Sequence, residues 1–150
     1  MPEESTRKIR IGDSMIAYQI GGKGFPLVLI NGFASPMDTW NPPVLAAIRE
    51  QFRVLVFDNR GTGYSTASDR EFSLRLFAED TISLMDSLGI TKAHILGFSM
   101  GAGIALELAT AWPERVENLV LVAGTSSGKE VQEAGKEVWD QLLDKSGTPE

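Results

Sequence analysis

Ile95-Leu96-Gly97-Phe98-Ser99-Met100-Gly101 decides how this 150-residue chain is read. A short apolar run ends in Gly97-x-Ser99-x-Gly101, and a helix-like segment running from Met100 to Ala111 begins at once. A serine hydroxyl is a weak nucleophile at neutral pH. It must be held exposed on a tight turn, beside a base and next to backbone N–H groups that can receive an oxyanion. Gly97 and Gly101 are turn-forming, and Gly101, Ala102, Gly103 and Ala105 leave room for the helix to pack close against the strand. The plainer alternative is a glycine-rich packing turn with an incidental serine. A second match, Gly124-x-Ser126-x-Gly128, also follows an apolar strand, but Thr125-Ser126-Ser127-Gly128-Lys129 is ordinary loop chemistry. Context selects Ser99 as the candidate nucleophile.

Upstream, the pattern is that of an α/β protein. Lys8–Ile11 and Met15–Ile20 alternate in polarity around Gly12-Asp13-Ser14, which predicts an antiparallel hairpin. Leu27–Ile30, Val54–Phe57, His94–Phe98 and Leu119–Ala123 are short and apolar on both faces, as suits parallel strands buried between helix layers. Helical segments separate them. Asn41 stands as a candidate N-cap before Pro42-Pro43 and a helix through Glu50. Leu74, Phe77, Ala78, Thr81, Ile82, Met85 and Leu88 recur at helical spacing, with Ser73 as cap and Gly89 as stop. The expected fold is a mostly parallel α/β sheet with an antiparallel N-terminal hairpin and right-handed crossovers. Residues 1–128 form the core of this pattern. In 129–150, Val131, Ala134, Val138 and Leu142 share one face of an amphipathic helix, which is expected to cover the sheet, meet another chain or open a lid domain.

Two further segments bear on chemistry. Asn31-Gly32-Phe33 leaves the first parallel strand, and Gly32 would let backbone approach a substrate oxygen. The N–H groups of Phe33 and Met100 are the candidate oxyanion donors; a simple strand-ending turn is the alternative. Asp58-Asn59-Arg60-Gly61-Thr62-Gly63-Tyr64-Ser65 follows the next strand and suits a structured loop at the strand C-termini, where open α/β sheets bind ligands. Asp58 is expected to brace that loop. Arg60 suits either an anionic substrate or a loop ion pair, and Asp80, Asp86 and Glu107 read as solvated or capping groups on helices. Phe33, Trp40, Tyr64 and Phe98 are candidates to line an apolar pocket, with core packing the stronger reading for Trp40 and Phe98.

In this order and spacing, the hairpin, Asn31-Gly32-Phe33, the Asp58–Ser65 loop, Gly97–Gly101 and the strand Leu119–Ala123 resemble the α/β-hydrolase family. The resemblance implies a serine hydrolase acting on an ester, lactone, amide or related bond, with Ser99 attacking and the Phe33 and Met100 N–H groups forming the oxyanion hole. Many members have His-Gly where this chain has Asn31-Gly32; asparagine still hydrogen-bonds nearby backbone. The family's triad continues with an acid and then a histidine on later loops. Neither is found in this chain. Its one histidine, His94, lies five residues before Ser99 on the same strand, about 16 Å away at 3.3 Å per residue. A general base needs reach of about 3 Å, so His94 reads as a structural residue. Some relatives carry the acid just after the strand that follows the nucleophile helix, but Gly124, Thr125, Ser126 and Ser127 stand there.

Composition narrows the partners. A net charge of −6 and a pI near 4.8 offer no broad basic surface for nucleic acid or anionic lipid. With no cysteine and one histidine, no metal site and no cofactor are expected. Met1-Pro2-Glu3-Glu4 lacks the apolar core of a signal peptide, so a cytoplasmic location is expected. Two accounts of the missing base remain: a piece of a longer hydrolase that acts on a small-molecule substrate once completed, or a non-catalytic binding or dimerisation module. Either leaves a sheet edge open, and a homo-oligomer through that edge or the C-terminal helix is expected.

Overall fold

The computed structural model describes residues 5–124 and Glu137. The segments of alternating polarity around Gly12, which adopts φ +55°, fold into the hairpin of β1 (Arg7–Ile11) and β2 (Ser14–Gly22). The following apolar runs form β3 (Pro26–Ile30), β4 (Arg53–Phe57), β5 (Ala93–Phe98) and β6 (Val116–Val122). Strand order is β1-β2-β4-β3-β5-β6, with the first two pairings antiparallel and the remaining three parallel.

Strand pleating distributes the apolar side chains to two cores. Val28, Ile30, Leu55 and Phe57 face one side, together with Phe77, Leu84, Met85, Ile104 and Leu108 of helices α2 (Leu74–Ser87) and α3 (Met100–Ala111). Their neighbours Leu27, Leu29, Val54 and Val56 face the other side, with Leu45 of helix α1 (Pro42–Arg49) and Met37. Both faces of the central strands are therefore covered, which is why they read as continuous apolar runs. Ser73 caps α2 by accepting a hydrogen bond from the Leu76 N–H at 3.1 Å, and Gly89 follows the helix at φ +67°. Asn41 occupies the N-cap position of α1 but its side chain makes no cap hydrogen bond. Proline at the first helical positions removes donors that an N-cap would otherwise satisfy.

One expectation, at Asp80, needs correction. Leu119–Ala123 reads as apolar on both faces, but as the last strand it was expected at an open edge with part of one face uncovered, and Val120, Leu121 and Val122 of β6 are 45, 43 and 40% exposed. Among the described residues β6 is the sheet edge and no helix covers its outer side. Asp80 is not a solvated helix carboxylate. It is buried and holds Arg60 through two hydrogen bonds of 2.6 and 2.7 Å. Arg60, only 1% exposed, also reaches Asp13 at 2.8 Å and Ser68 at 2.6 Å, which settles it as a loop ion pair and removes it from contact with substrate. The hydrogen bonds it donates to Asp80, more than the one to Asp13, hold its pKa above the ordinary arginine value. The expected helix over 131–142 and the second serine, Ser126, lie outside the described residues.

Breaking a buried ion pair strands the surviving charge. Asp80→Ala is expected to lower the unfolding free energy by about 3–5 kcal/mol. Urea unfolding of the Asp80→Ala and paired Arg60→Leu/Asp80→Leu proteins checks this, the pair being expected to lose less than the single variant.

Candidate active site at the strand C-termini

The chain leaves β3 toward β4 on one side and later returns to β5 on the other, so β3 and β5 part at a topological switch point. Loops diverge from such a point and leave a crevice at the strand C-termini. Asn31-Gly32 leaves β3 there and Ser99 leaves β5. The two segments touch: the position a Gly32 Cβ would occupy lies 3.1 Å from Ser99 Cβ and 3.6 Å from its Oγ.

Ser99 is exposed, with φ 55° and ψ −119°. That region is nearly reserved for glycine, and holding another residue in it costs on the order of 1–3 kcal/mol. The surroundings enforce it. Ser99 N–H donates to Val122 O at 2.9 Å and Ser99 O accepts from Ala102 N–H at 2.9 Å, so the turn is tied to β6 on one side and to α3 on the other. A Cβ on Gly97 would overlap the Gly101 carbonyl and stand 2.7 Å from Ala102 Cα. One on Gly101 would overlap the Ile30 carbonyl at the end of β3. Both glycines are thus required by the close approach of α3 to the two strands rather than by their own backbone angles.

Met100 follows Ser99 in the chain, and Phe33 follows Gly32, which packs against Ser99. Met100 opens α3, whose first N–H groups have no partner within the helix. Among the described residues neither Phe33 nor Met100 donates to a backbone oxygen outside regular elements. The loop carrying Phe33 is held from within by Asn31. This buried side chain donates through Nδ2 to Pro36 O at 2.9 Å and Thr39 Oγ1 at 2.6 Å, and accepts from Gly32 N–H at 3.0 Å through Oδ1. Asparagine at this place does the bracing expected of it.

Asp58, 0% exposed, spans two loops. Its Oδ1 accepts from Met37 N–H at 2.6 Å and its Oδ2 from Tyr64 N–H at 2.7 Å. Burial pushes its pKa above the ordinary carboxylate value, and the two N–H donors only partly oppose that rise. Sequence reading anticipated the brace to its own loop; the reach to Met37 joins residues far apart in the chain, and no local spacing signals it.

His94 sits at the other end of β5. Its Nδ1 is 3.0 Å from Asn118 Nδ2, and its ring packs 4.9 Å from the Phe25 ring and 5.6 Å from that of Phe52. The site therefore gathers Gly32, Phe33, Ser99 and Met100 but not the histidine. Around it, Phe33 is 72% exposed, Tyr64 is exposed, and Trp40 packs on the α1 side of the core. Phe98 was expected in the core; it is 40% exposed at the end of β5, because nothing described covers that face beside β6. Ala34 and Ala123 also adopt positive φ, both 52°. Neither is foreseeable from residue type, since glycine or asparagine is the usual signal.

Relief of the strain at Ser99 is measurable. Ser99→Gly is expected to raise the unfolding free energy by about 1 kcal/mol or more, whereas Ser99→Ala leaves it nearly unchanged; thermal and urea melts compare the two.

Comparison with known proteins agrees with this geometry. A family model of the alpha/beta hydrolase fold matches residues 26–145. The chain is 36% identical over 129 residues to the dihydrolipoyllysine-residue acetyltransferase component of the acetoin cleaving system of Pseudomonas putida, covering 83% of this chain and 34% of that protein. It is 33% identical over 121 residues to 2-hydroxymuconate semialdehyde hydrolase of Pseudomonas sp. strain CF600, covering 79% of this chain and 43% of that one. Among solved structures, the enol-lactonase of Burkholderia xenovorans LB400 superposes with a TM-score of 0.72 at 30% identity, covering 75% of this chain and 45% of the enzyme. The chain spans about a third to a half of the length of these relatives. With its sheet order, its serine turn and this match over most of its length, the chain belongs to the α/β-hydrolase family.

Proposed function

We propose that this chain carries the nucleophile and the oxyanion hole of a serine hydrolase that cleaves an ester, lactone, amide or related bond in a small molecule. The observation that carries the reading is Ser99: exposed, at φ 55°, against Gly32 of the loop that bears Phe33. Packing dictates the backbone there, and glycine would adopt it without strain, so the serine's cost is accounted for by its exposed hydroxyl. In this reading Ser99 Oγ attacks the acyl carbon and its proton passes to a base. The carbonyl π electrons move onto oxygen, and the Phe33 and Met100 N–H groups hold the resulting oxyanion. Expulsion of the leaving group yields an acyl-enzyme, which water hydrolyses. Relatives named as an acetyltransferase component, a hydrolase and an enol-lactonase support acyl chemistry of this kind.

The base and acid are not supplied by the site as described. His94 is walled in by Phe25, Phe52 and Asn118 at the far end of β5. Asp58 is spent on two backbone N–H groups and Asp80 on Arg60. The 150-residue chain alone is therefore expected to be a half-site. A fluorophosphonate, whose electrophilic phosphorus needs less activation than an ester carbonyl, is expected to label wild type slowly and Ser99→Ala not at all, without steady ester turnover. Rapid turnover by the 150-residue chain would overturn the half-site reading. Absence of labelling at Ser99 would favour a non-catalytic module.

The exposed β6 supports a second part of the proposal, that the isolated chain self-associates. Edge groups unpaired among the described residues and the apolar Val120, Leu121 and Val122 make β6 a template for another strand, whereas β1 at the opposite edge carries Arg7, Lys8 and Arg10. Light scattering at micromolar concentration is expected to give a dimer or larger species, and Val120→Lys to shift it toward monomer. A stable wild-type monomer would contradict this.

A further inference from the structure

We propose that Asp58 is a positioning residue for the oxyanion loop: its carboxylate, by holding Met37 N–H and Tyr64 N–H at once, sets where Phe33 N–H points. The inference rests on the reading of Phe33 as an oxyanion donor. Residues 31–37 are fastened at two ends. Asn31 fixes the start through Pro36 O, Thr39 Oγ1 and Gly32 N–H. Asp58 fixes the end through Met37 N–H at 2.6 Å. Between these anchors the loop makes one backbone hydrogen bond outside regular elements, Ser35 N–H to Gly32 O at 3.3 Å, and Ala34 is forced to φ 52°. Phe33 lies inside that span, so its N–H direction follows the anchors.

The second arm of Asp58 gives the carboxylate a fixed footing. Tyr64 N–H reaches Oδ2 at 2.7 Å, and Gly63 adopts φ +52° with its missing Cβ leaving the space that the Asp58 carboxylate fills. The Asp58 main chain is tied independently to β2, its N–H donating to Ala17 O at 2.9 Å and its O accepting from Ser65 Oγ at 2.7 Å. The base of the brace therefore stays in place whatever the side chain does, and only the grip on residues 37 and 64 depends on the carboxylate.

An ionised carboxylate accepts strongly at both oxygens; a protonated one carries a hydroxyl on one of them, which accepts more weakly, so one of its two N–H partners is held less firmly. The charged groups that act on Asp58 are Asp38, beside Met37, which opposes its ionisation, and Lys8 of β1, which favours it. Burial, acting in the same direction as Asp38, outweighs the two N–H hydrogen bonds and Lys8 and moves protonation upward from the ordinary carboxylate value. The grip belongs to the ionised form and weakens as pH falls through that raised value, at a higher pH than for a solvated aspartate.

Two measurements on the 150-residue protein test this. In a pH titration of ¹⁵N-labelled wild type, the amide signals of Met37, Tyr64 and Phe33 are expected to move together with one midpoint above the usual aspartate range; in Asp58→Asn none of them follows that titration. At neutral pH, phosphonylation of Ser99 by a fluorophosphonate is expected to slow at least about tenfold in Asp58→Asn, because a misdirected donor loses much of what an absent one loses. Met37 and Tyr64 titrating while Phe33 stays still, or labelling of Asp58→Asn at the wild-type rate, overturns the positioning role. Failure of wild type to label at Ser99 overturns the hydrolase reading instead, and the wild-type titration of Phe33 still decides whether Asp58 steers the loop, including if Asp58→Asn does not fold.

Discussion

Everything at the site depends on how closely α3 approaches the ends of β3 and β5. Gly101 lies so near the Ile30 carbonyl, and Gly97 so near Gly101, that neither tolerates a Cβ. That approach leaves Ser99 no ordinary backbone conformation, and the hydrogen bonds from Ser99 N–H to Val122 O and from Ala102 N–H to Ser99 O lock the unusual one. The same contact brings the first N–H groups of α3 beside the Asn31–Met37 loop. A single packing constraint thus exposes the Ser99 hydroxyl and sets the Asn31-Gly32 turn against it. Strain at one residue is sustained by close packing around it.

The support for this geometry is polar and lies behind it. Arg60 joins Asp13 of the hairpin turn, Ser68 and Asp80 of α2, and Asp58 joins the loop after β4 to the loop after β3. Each is buried, so each interaction is strong when made and damaging when half-made. The loop after β4 contributes no side chain in contact with Ser99 in this account. Its contribution is to hold still the loop that does approach Ser99.

Much of this was legible from residue order. Alternation named the hairpin, two-faced apolar runs named β3, β4 and β5, and Ser73 and Gly89 marked the ends of α2 because their chemistry acts within a few residues. Ser99 was legible for the same reason, since the turn, the small residues and the helix are contiguous. What escaped was long-range or depended on missing cover. Asp80 shares a face with Phe77 and Leu84, a spacing that marks it as inward-facing, but its partner Arg60 lies 20 residues away. Phe98 has a core-like side chain at a place that no described residue covers, so apolar character alone misplaced it. The reach of Asp58 to Met37, across 21 residues, has no local signature at all.

The most direct test of the central claim is a crystal structure of the Ser99 phosphonate adduct. The account places the phosphoryl oxygen within about 3 Å of both Phe33 N and Met100 N, the reach of an oxyanion hydrogen bond. An adduct at Ser99 whose phosphoryl oxygen points to solvent, with neither N–H in reach, would contradict it.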